Sequence, residues 1–322
     1  MTAPPRLGVG VVGAGRVGAV LGSALRAAGH PVVGVSAVSA QSRDRAEALL
    51  PGVPVLDTDE VVRRAELVLL TVPDDALAPL VAGLAELGAW QVGQLVVHTA
   101  GRFGVDVLEP ATAAGAIGLA VHPAMTFTGT SLDLSRLEST TFAVTAAGLF
   151  APIGQALVVE LGGEPVLVSE EDRGLYHAAL SHAANHLVVL VAQAAQALTA
   201  AGVADAGTAL RPLLDAALDS ALRQASPPGA SAAEVGARDD HGSSRRPTRA
   251  GAVAALTGPV RRGDVGTVTG HLAELTAWAA RSGAVDVVAA YRVLARSATV
   301  RALAAGLIGE TQAQQLLAEL ED

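Results

Sequence analysis

The run Gly13-Ala14-Gly15-Arg16-Val17-Gly18 constrains this chain more than any other six residues. It follows an apolar, β-branched stretch, Leu7–Val12, and opens an amphipathic one, Arg16–Ala28, so it reads as the turn from a first strand into a first helix. Gly13 permits the tight bend, Gly15 leaves bare backbone for an anion to approach, and Gly18 lets helix and strand pack closely. A helix starting there presents unpaired amides and a partial positive charge. The six residues together therefore predict a pyrophosphate-binding turn, with Ala14, Arg16 and Val17 sharing the contact.

Past this turn, short apolar runs alternate with longer amphipathic ones. Leu7–Val12, Val32–Val38, Glu66–Val72, Leu95–His98 and Ile117–His122 read as strands, and Arg16–Ala28, Ser42–Leu50, Asp75–Leu87 and Val105–Ala114 as the helices between them. Near-continuous apolar strands separated by helices predict an α/β domain whose parallel sheet is covered on both faces. A strand at Thr141–Thr145 closes it. After Leu149 the pattern changes to an all-α one: Ala151–Leu161, Glu170–Ala201, Ala204–Ala225, Val265–Arg281, Val285–Leu303 and Thr311–Leu320, with one short strand at Pro165–Val168. The expected division is a nucleotide-binding domain over 1–150 and a helical domain for substrate and dimerisation over 151–322. Ser226–Arg249, polar and rich in turn formers, reads as a flexible loop.

Composition removes whole classes of chemistry. The 322 residues include no Cys, which excludes disulfides, thiol nucleophiles and thiolate metal sites. All 22 basic residues are Arg, so lysine Schiff bases and lysine acid–base chemistry are excluded too. A net charge of −9 argues against a nucleic-acid partner. The N-terminus lacks the pattern of a signal peptide. Gly174–Ala204 has no charged residue and is long enough to span a bilayer, but it carries His177, Ser181, His182, Asn185, His186, Gln193 and Gln196. It reads as a central buried helix of a soluble, cytoplasmic protein rather than a membrane span.

The end of the second strand bears on the nucleotide. NAD sites place an acidic residue there for the ribose 2′-hydroxyl. Here Val35–Arg45 has no acid before Asp44, while Ser39, Ser42 and Arg43 suit a 2′-phosphate. This favours NADP over NAD, although Ser42 also makes a fair helix cap. Val72 and Pro73, after the third strand, are expected beside the cofactor, with Asp75 as a helix cap. His98, ending the fourth strand, either contacts the cofactor or orients the next loop.

Further stretches carry a resemblance: Val97-His98-Thr99-Ala100-Gly101, Ala120–Gly129 with His122-Pro123 and Thr126-Phe127-Thr128, Leu256-Thr257-Gly258-Pro259 with Arg262-Gly263-Asp264, and the pairs Tyr176-His177 and Asn185-His186. With these the chain resembles an actinobacterial-type family of NADP-dependent oxidoreductases, in which a Rossmann-like domain precedes a helical domain of unknown function. That family is similar in architecture to the group holding ketopantoate reductase, 6-phosphogluconate dehydrogenase and 3-hydroxyisobutyrate dehydrogenase. The resemblance implies a 6-phosphogluconate dehydrogenase-like helical domain, a homodimer, and acid–base residues delivered from that domain. In the larger group a lysine followed four residues later by asparagine serves the carbonyl. Asn185 matches the asparagine, but Ser181 stands where the lysine would be.

Reduction of a carbonyl needs a proton donor, and histidine is the usual one near neutral pH. His122, at the end of the fifth strand, and His177 are the candidates, with Ser181 and Asn185 orienting the substrate oxygen. His177, Ser181 and Asn185 are four residues apart and share a helix face. Either histidine also fits a hydrogen-bonded structural role. His182 and His186 have metal-ligand spacing but no third ligand, so no metal is expected. Arg262 either reaches an anionic substrate or pairs with a carboxylate. The leading expectation is an NADP-dependent reductase of a small carbonyl compound of the 2-keto acid type. The alternative is a non-catalytic NADP(H) sensor acting through its helical domain.

Overall fold

The computed structural model describes residues 6–225 and 250–321, so the segment expected as a loop, Ser226–Arg249, lies outside the described residues. Seven strands form one sheet: β1 (Val9–Val12), β2 (Val32–Ser36), β3 (Leu67–Leu70), β4 (Leu95–His98), β5 (Ile117–Pro123), β6 (Thr141–Ala146) and β7 (Glu164–Leu167). Their order is β2-β1-β3-β4-β5-β6-β7. All neighbours are parallel except β5 and β6. The helices woven among them are α1 (Arg16–Ala27), α2 (Ala40–Leu49), α3 (Thr58–Arg64), α4 (Asp74–Glu86), α5 (Glu109–Ala113), α6 (Leu132–Leu137) and α7 (Ala151–Glu160). The short helices α3 and α6 were not expected from periodicity, being too brief to show one.

The strands are apolar throughout because both sheet faces are covered. Val11, Leu69, Val97 and Leu119 face one core with Leu21 and Leu25 of α1. Val12, Leu70 and Val96 face the other with Leu77 and Val81 of α4. Adjacent residues enter opposite cores, as the twofold period of a strand requires. Each fully buried Val or Leu contributes about 1.5–3 kcal/mol.

The compact unit holding the sheet runs on through Asn185, beyond the division expected at residue 150. The reason is that β7 extends the sheet alongside β6 and α7 packs over it. Glu160, at the end of α7, bonds buried His30 at 2.8 Å and Arg6 at 2.9 Å, tying that helix to the start of β1.

The second unit, His186–Asp322, takes the remainder of α8 (Arg173–Ala200) with α9 (Ala206–Ala225), α10 (Gly258–Arg262), α11 (Val265–Ser282), α12 (Val285–Ala304) and α13 (Glu310–Glu319). Its core is Val260, Val268, Leu272, Ala295, Ala302, Ile308, Ala313 and Leu316. Asp264 caps α11 by accepting from the Thr267 amide at 3.0 Å. The helix expected to be central and buried is instead exposed along most of its length: Val188 is 68% exposed, and Leu187, Val189 and Leu190 are also open. Among the described residues it is the one helix long and apolar enough to cross a membrane. Its alanine- and valine-rich surface lacks charge, and among the described residues little covers it.

Candidate functional site

In the order β2-β1-β3 the chain reverses direction across the sheet between β1 and β3, and ligands of such sheets bind beyond the carboxyl ends of the strands at that point. The glycine turn lies there. Gly13 has φ +93°, a left-handed conformation that favours glycine. The Thr71 hydroxyl, just past β3, donates to the Gly13 carbonyl at 2.6 Å. A side chain at Gly18 would collide with that hydroxyl and that carbonyl, whereas one at Gly15 would meet nothing within 4 Å. The space above Gly15 is open. Gly15 is also the N-cap of α1 and offers no side chain to its first-turn amides, which leaves the amides of Arg16 and Val17 for a ligand.

Ala14 differs from expectation. It is fully buried and its amide donates to the Ser36 carbonyl at 2.9 Å, so it shapes the turn and has no amide left for an anion. The cap of α2 is Ser39, not Ser42: Ser39 Oγ accepts from the Ser42 amide at 3.1 Å, and Ser42 Oγ donates to the Ser39 carbonyl at 2.8 Å. Both hydroxyls remain at the surface beside exposed Arg43, and the first turn of α2 holds no acid. Val72 borders the Gly13 turn, and Pro73, rather than Asp75, occupies the N-cap of α4.

The arginine that sequence reasoning missed is Arg45. It lies with Arg16 against Gly129, where the loop after β5 comes down on the start of α1. Fully buried Asp133 holds that loop, accepting from the amides of Thr128 at 2.8 Å and Gly129 at 2.7 Å and from the Thr128 hydroxyl at 2.9 Å. Burial alone would raise its pKa; the bonds from Gly129 and Thr128 outweigh that and hold it below the ordinary carboxylate value.

Because β1, β3, β4 and β5 are parallel, their carboxyl ends share one edge. The end of β5 is three strand spacings from that of β1, about 14 Å. His122 stands there, with Nδ1 2.9 Å from the Tyr176 hydroxyl. The rings of Tyr176 and His177 lie edge-on to it, at 5.6 and 6.1 Å between centroids. Gly101 fits between His122 and His177, where a Cβ would crowd both rings. Below them Arg173, 1% exposed, donates from Nε to Thr145 Oγ1 at 2.7 Å and from Nη2 to the carbonyls of Ala120 at 2.7 Å and Ala143 at 3.1 Å. Its Nη1 has no hydrogen-bond partner among the described residues. Burial, then the charge of Arg173, lowers the His122 pKa to about 4, so the ring is neutral at pH 7. A neutral His122 is a weaker proton donor at pH 7 than the imidazolium form would be. Tyr176 is pushed up by burial, which Arg173 partly offsets, and stays protonated.

His98 takes the second of its two expected roles and orients the next loop. It is fully buried, its Nδ1 accepts from the Ala100 amide at 3.2 Å, and its Nε2 donates to the Gly104 carbonyl at 2.7 Å. Both ring nitrogens are taken in folding the loop toward Val105. Glu170 holds the same loop, accepting from the amides of Val105 at 2.7 Å and Asp106 at 3.3 Å. Asn185 is exposed and eight residues beyond His177, about 12 Å along α8, so it does not join the His122 cluster within the chain; Ser181, half-buried, lies between.

The His98 arrangement carries an acid-stability prediction. Burial lowers its pKa from 6.5 to about 4, and the bond to Gly104 only partly offsets this. Above pH 6.5 the ring is neutral folded or unfolded and contributes no pH dependence. As pH falls from 6.5 toward 4 the unfolded chain takes up the proton first, and stability drops by about 3 kcal/mol. Urea unfolding at pH 7, 5.5 and 4 measures this, and His98→Gln should remove about half of the slope, since His122, also lowered to about 4, contributes the rest. An unchanged slope in that variant would refute the assignment.

Two family models match the chain: a Rossmann-like domain over residues 1–123 and a domain of unknown function, DUF2520, over 140–298. The chain joins a Rossmann-like domain to a DUF2520 domain. Solved structures of the same fold include a protein from Bacteroides fragilis named as an NADP oxidoreductase, with 22% identity and a TM-score of 0.65 over 91% of this chain and 98% of that one. An imine reductase from Pseudomonas sp. has 16% identity and a TM-score of 0.60 over 96% and 100%. A reductive aminase from Aspergillus terreus, in complex with NADPH and ethyl levulinate, has 17% identity and a TM-score of 0.52 over 68% and 75%. A comparison with curated proteins finds no match. The DUF2520 match begins at β6, within the sheet, and includes Arg173, Tyr176 and His177.

Proposed function

We propose that the chain is an NADPH-dependent reductase of a small carbonyl compound, of the 2-keto acid type. The observation that carries the reading is the open, uncapped start of α1 at the β1–β3 switch point, with a protonated tyrosine cluster on the same sheet edge. Gly13, Gly15 and the amides of Arg16 and Val17 would hold the pyrophosphate. Ser39, Ser42 and Arg43, with Arg45 nearby, would take the 2′-phosphate, and Val72 and Pro73 would flank the ribose. The reduced nicotinamide, when bound, supplies a hydride to the carbonyl carbon. This chain supplies the proton: the Tyr176 O–H gives it to the substrate oxygen, and the Nδ1–H of neutral His122 replaces it as Nε2 takes one from solvent. The positive charge of Arg173 opposes a cationic substrate beside it and stabilises the transient tyrosinate, which favours a carbonyl over an iminium ion. The named activities of structures with the same fold agree with nicotinamide-linked reduction.

A fluorescence titration tests the cofactor. NADPH should bind at least tenfold more tightly than NADH, and Arg43→Ala should narrow that gap, since a charge-assisted pair is worth about 1.5–3 kcal/mol. NADPH oxidation with a 2-keto acid panel then tests the reaction. Binding of neither nucleotide would sink the redox reading.

The working form in this proposal is a homodimer. The exposed Leu187, Val188, Val189 and Leu190 of α8 form a charge-free apolar surface that a second copy would cover. Light scattering after size exclusion should give twice the 32.2 kDa chain mass. Val188→Glu should shift it to the monomer, and a wild-type monomer would refute the dimer.

A further inference from the structure

The helical unit has a groove of its own, of about 600 Å³, lined by Leu256, Thr257, Gly258, Arg261, Arg262, Leu307 and Gln312. That volume is in the range of small-ligand sites. Its polar lining is fixed by contacts that leave capacity toward the groove. Arg261 donates one Nη1 bond, at 2.7 Å, to the Leu307 carbonyl, which holds the guanidinium in place and leaves its other hydrogens. The Gln312 amide is held by the Gly309 amide at 3.1 Å and packs on Gly263, which has φ +67°. Thr257 occupies the N-cap of α10 without using its hydroxyl as a cap, and nothing lies within 4 Å of where a Gly258 side chain would project. Arg262 stands exposed at the rim. Its approach to Asp264 is 4.0 Å, and that carboxylate already accepts from the Thr267 amide at 3.0 Å and hydroxyl at 2.7 Å. Among the described residues the lining thus has two guanidinium groups, a hydroxyl and an amide, with no acidic side chain, and Leu256 and Leu307 as its apolar part.

We infer that this groove binds an organic monocarboxylate, with the carboxylate between Arg261 and Arg262 and its hydrocarbon tail on Leu256 and Leu307. Guanidinium forks match carboxylate geometry, and the leucines distinguish such an acid from a bare inorganic anion. The site is independent of the redox reading, and its test uses a molecule with no reducible group. In the full chain, the backbone amide resonances of Thr257, Gly258 and Gly263 are followed by NMR while 4-methylpentanoate is added. The expected result is saturable shifts at these amides, with acetate and inorganic phosphate binding at least tenfold more weakly. Arg262→Gln should lose at least tenfold in affinity for 4-methylpentanoate while keeping the wild-type unfolding midpoint and NADPH affinity. Thr257→Val provides a second, milder variant with the same direction of effect. Absence of saturable shifts, or phosphate binding as tightly as the branched acid, would overturn the inference. Failure to bind NADPH would instead strike the nicotinamide site and leave this one standing.

Discussion

Tyr176→Phe should leave NADPH affinity within about twofold of wild type and lower turnover on an identified carbonyl substrate by about 10²-fold or more, the scale of one general acid. The variant removes a single oxygen, the one 2.9 Å from His122 Nδ1, and keeps the ring that packs edge-on against that histidine. A purely structural role would show as a lower unfolding midpoint with little change in turnover. The pH profile separates the two further. His122 has a pKa of about 4, so it can take up its replacement proton across the neutral range. Turnover should hold from pH 8 down to about 5, with any change that His122 causes confined to pH near 4. A midpoint near 6.5 would mean that His122 titrates as an ordinary exposed histidine, and would remove the relay.

Arg173→Ala should cost about 3 kcal/mol of stability, read by urea unfolding. Three acceptors, Thr145 Oγ1 and the carbonyls of Ala120 and Ala143, would lose their donor inside the sheet unit. Each buried unpaired acceptor costs about 1–3 kcal/mol. Against that stands relief of a buried cation with one unpartnered nitrogen, itself worth several kcal/mol, so the net is smaller than the sum. Arg173→Met fills most of the space and should lose less. In either variant the His122 pKa should rise from about 4, because the guanidinium charge is one of the effects holding it down. A loss below 1 kcal/mol together with an unchanged His122 titration would mean that Arg173 neither braces the strands nor tunes the ring.

Both predictions rest on residues whose importance is only partly visible in the chain's order. The glycine turn was legible because Gly13, Gly15 and Gly18 act over one bend, between elements adjacent in sequence. His122 was legible because it ends an apolar strand. Its partner was not: Tyr176 is 54 residues away, and the neighbouring His177 drew the attention by its chemistry. Arg173 reads as an ordinary charge at a helix start until the strands that accept from it are in place. His98 left two readings open, a cofactor contact or a brace for the next loop, and only the fold of the next six residues shows both nitrogens taken by that loop. The helix over 173–200 was legible from its length and composition, but its burial was not, because a run without charge does not by itself say that the rest of the chain packs over it.

The antiparallel turn from β5 to β6 has a consequence for how such a chain is divided. The Rossmann-like match ends at Pro123, the last residue of β5, and the next match begins at residue 140, just before β6. The recurring sequence modules are thus stitched together inside one sheet. A fragment cut at residue 123 would expose β5 as a bare edge, with Phe142 and Val144 no longer there to complete its core, and bare edges recruit other chains. Recombination that exchanges the DUF2520 module must therefore exchange two strands of its neighbour's sheet with it. The joint that can be cut without breaking a strand pairing lies farther along, past β7 and toward the long helix.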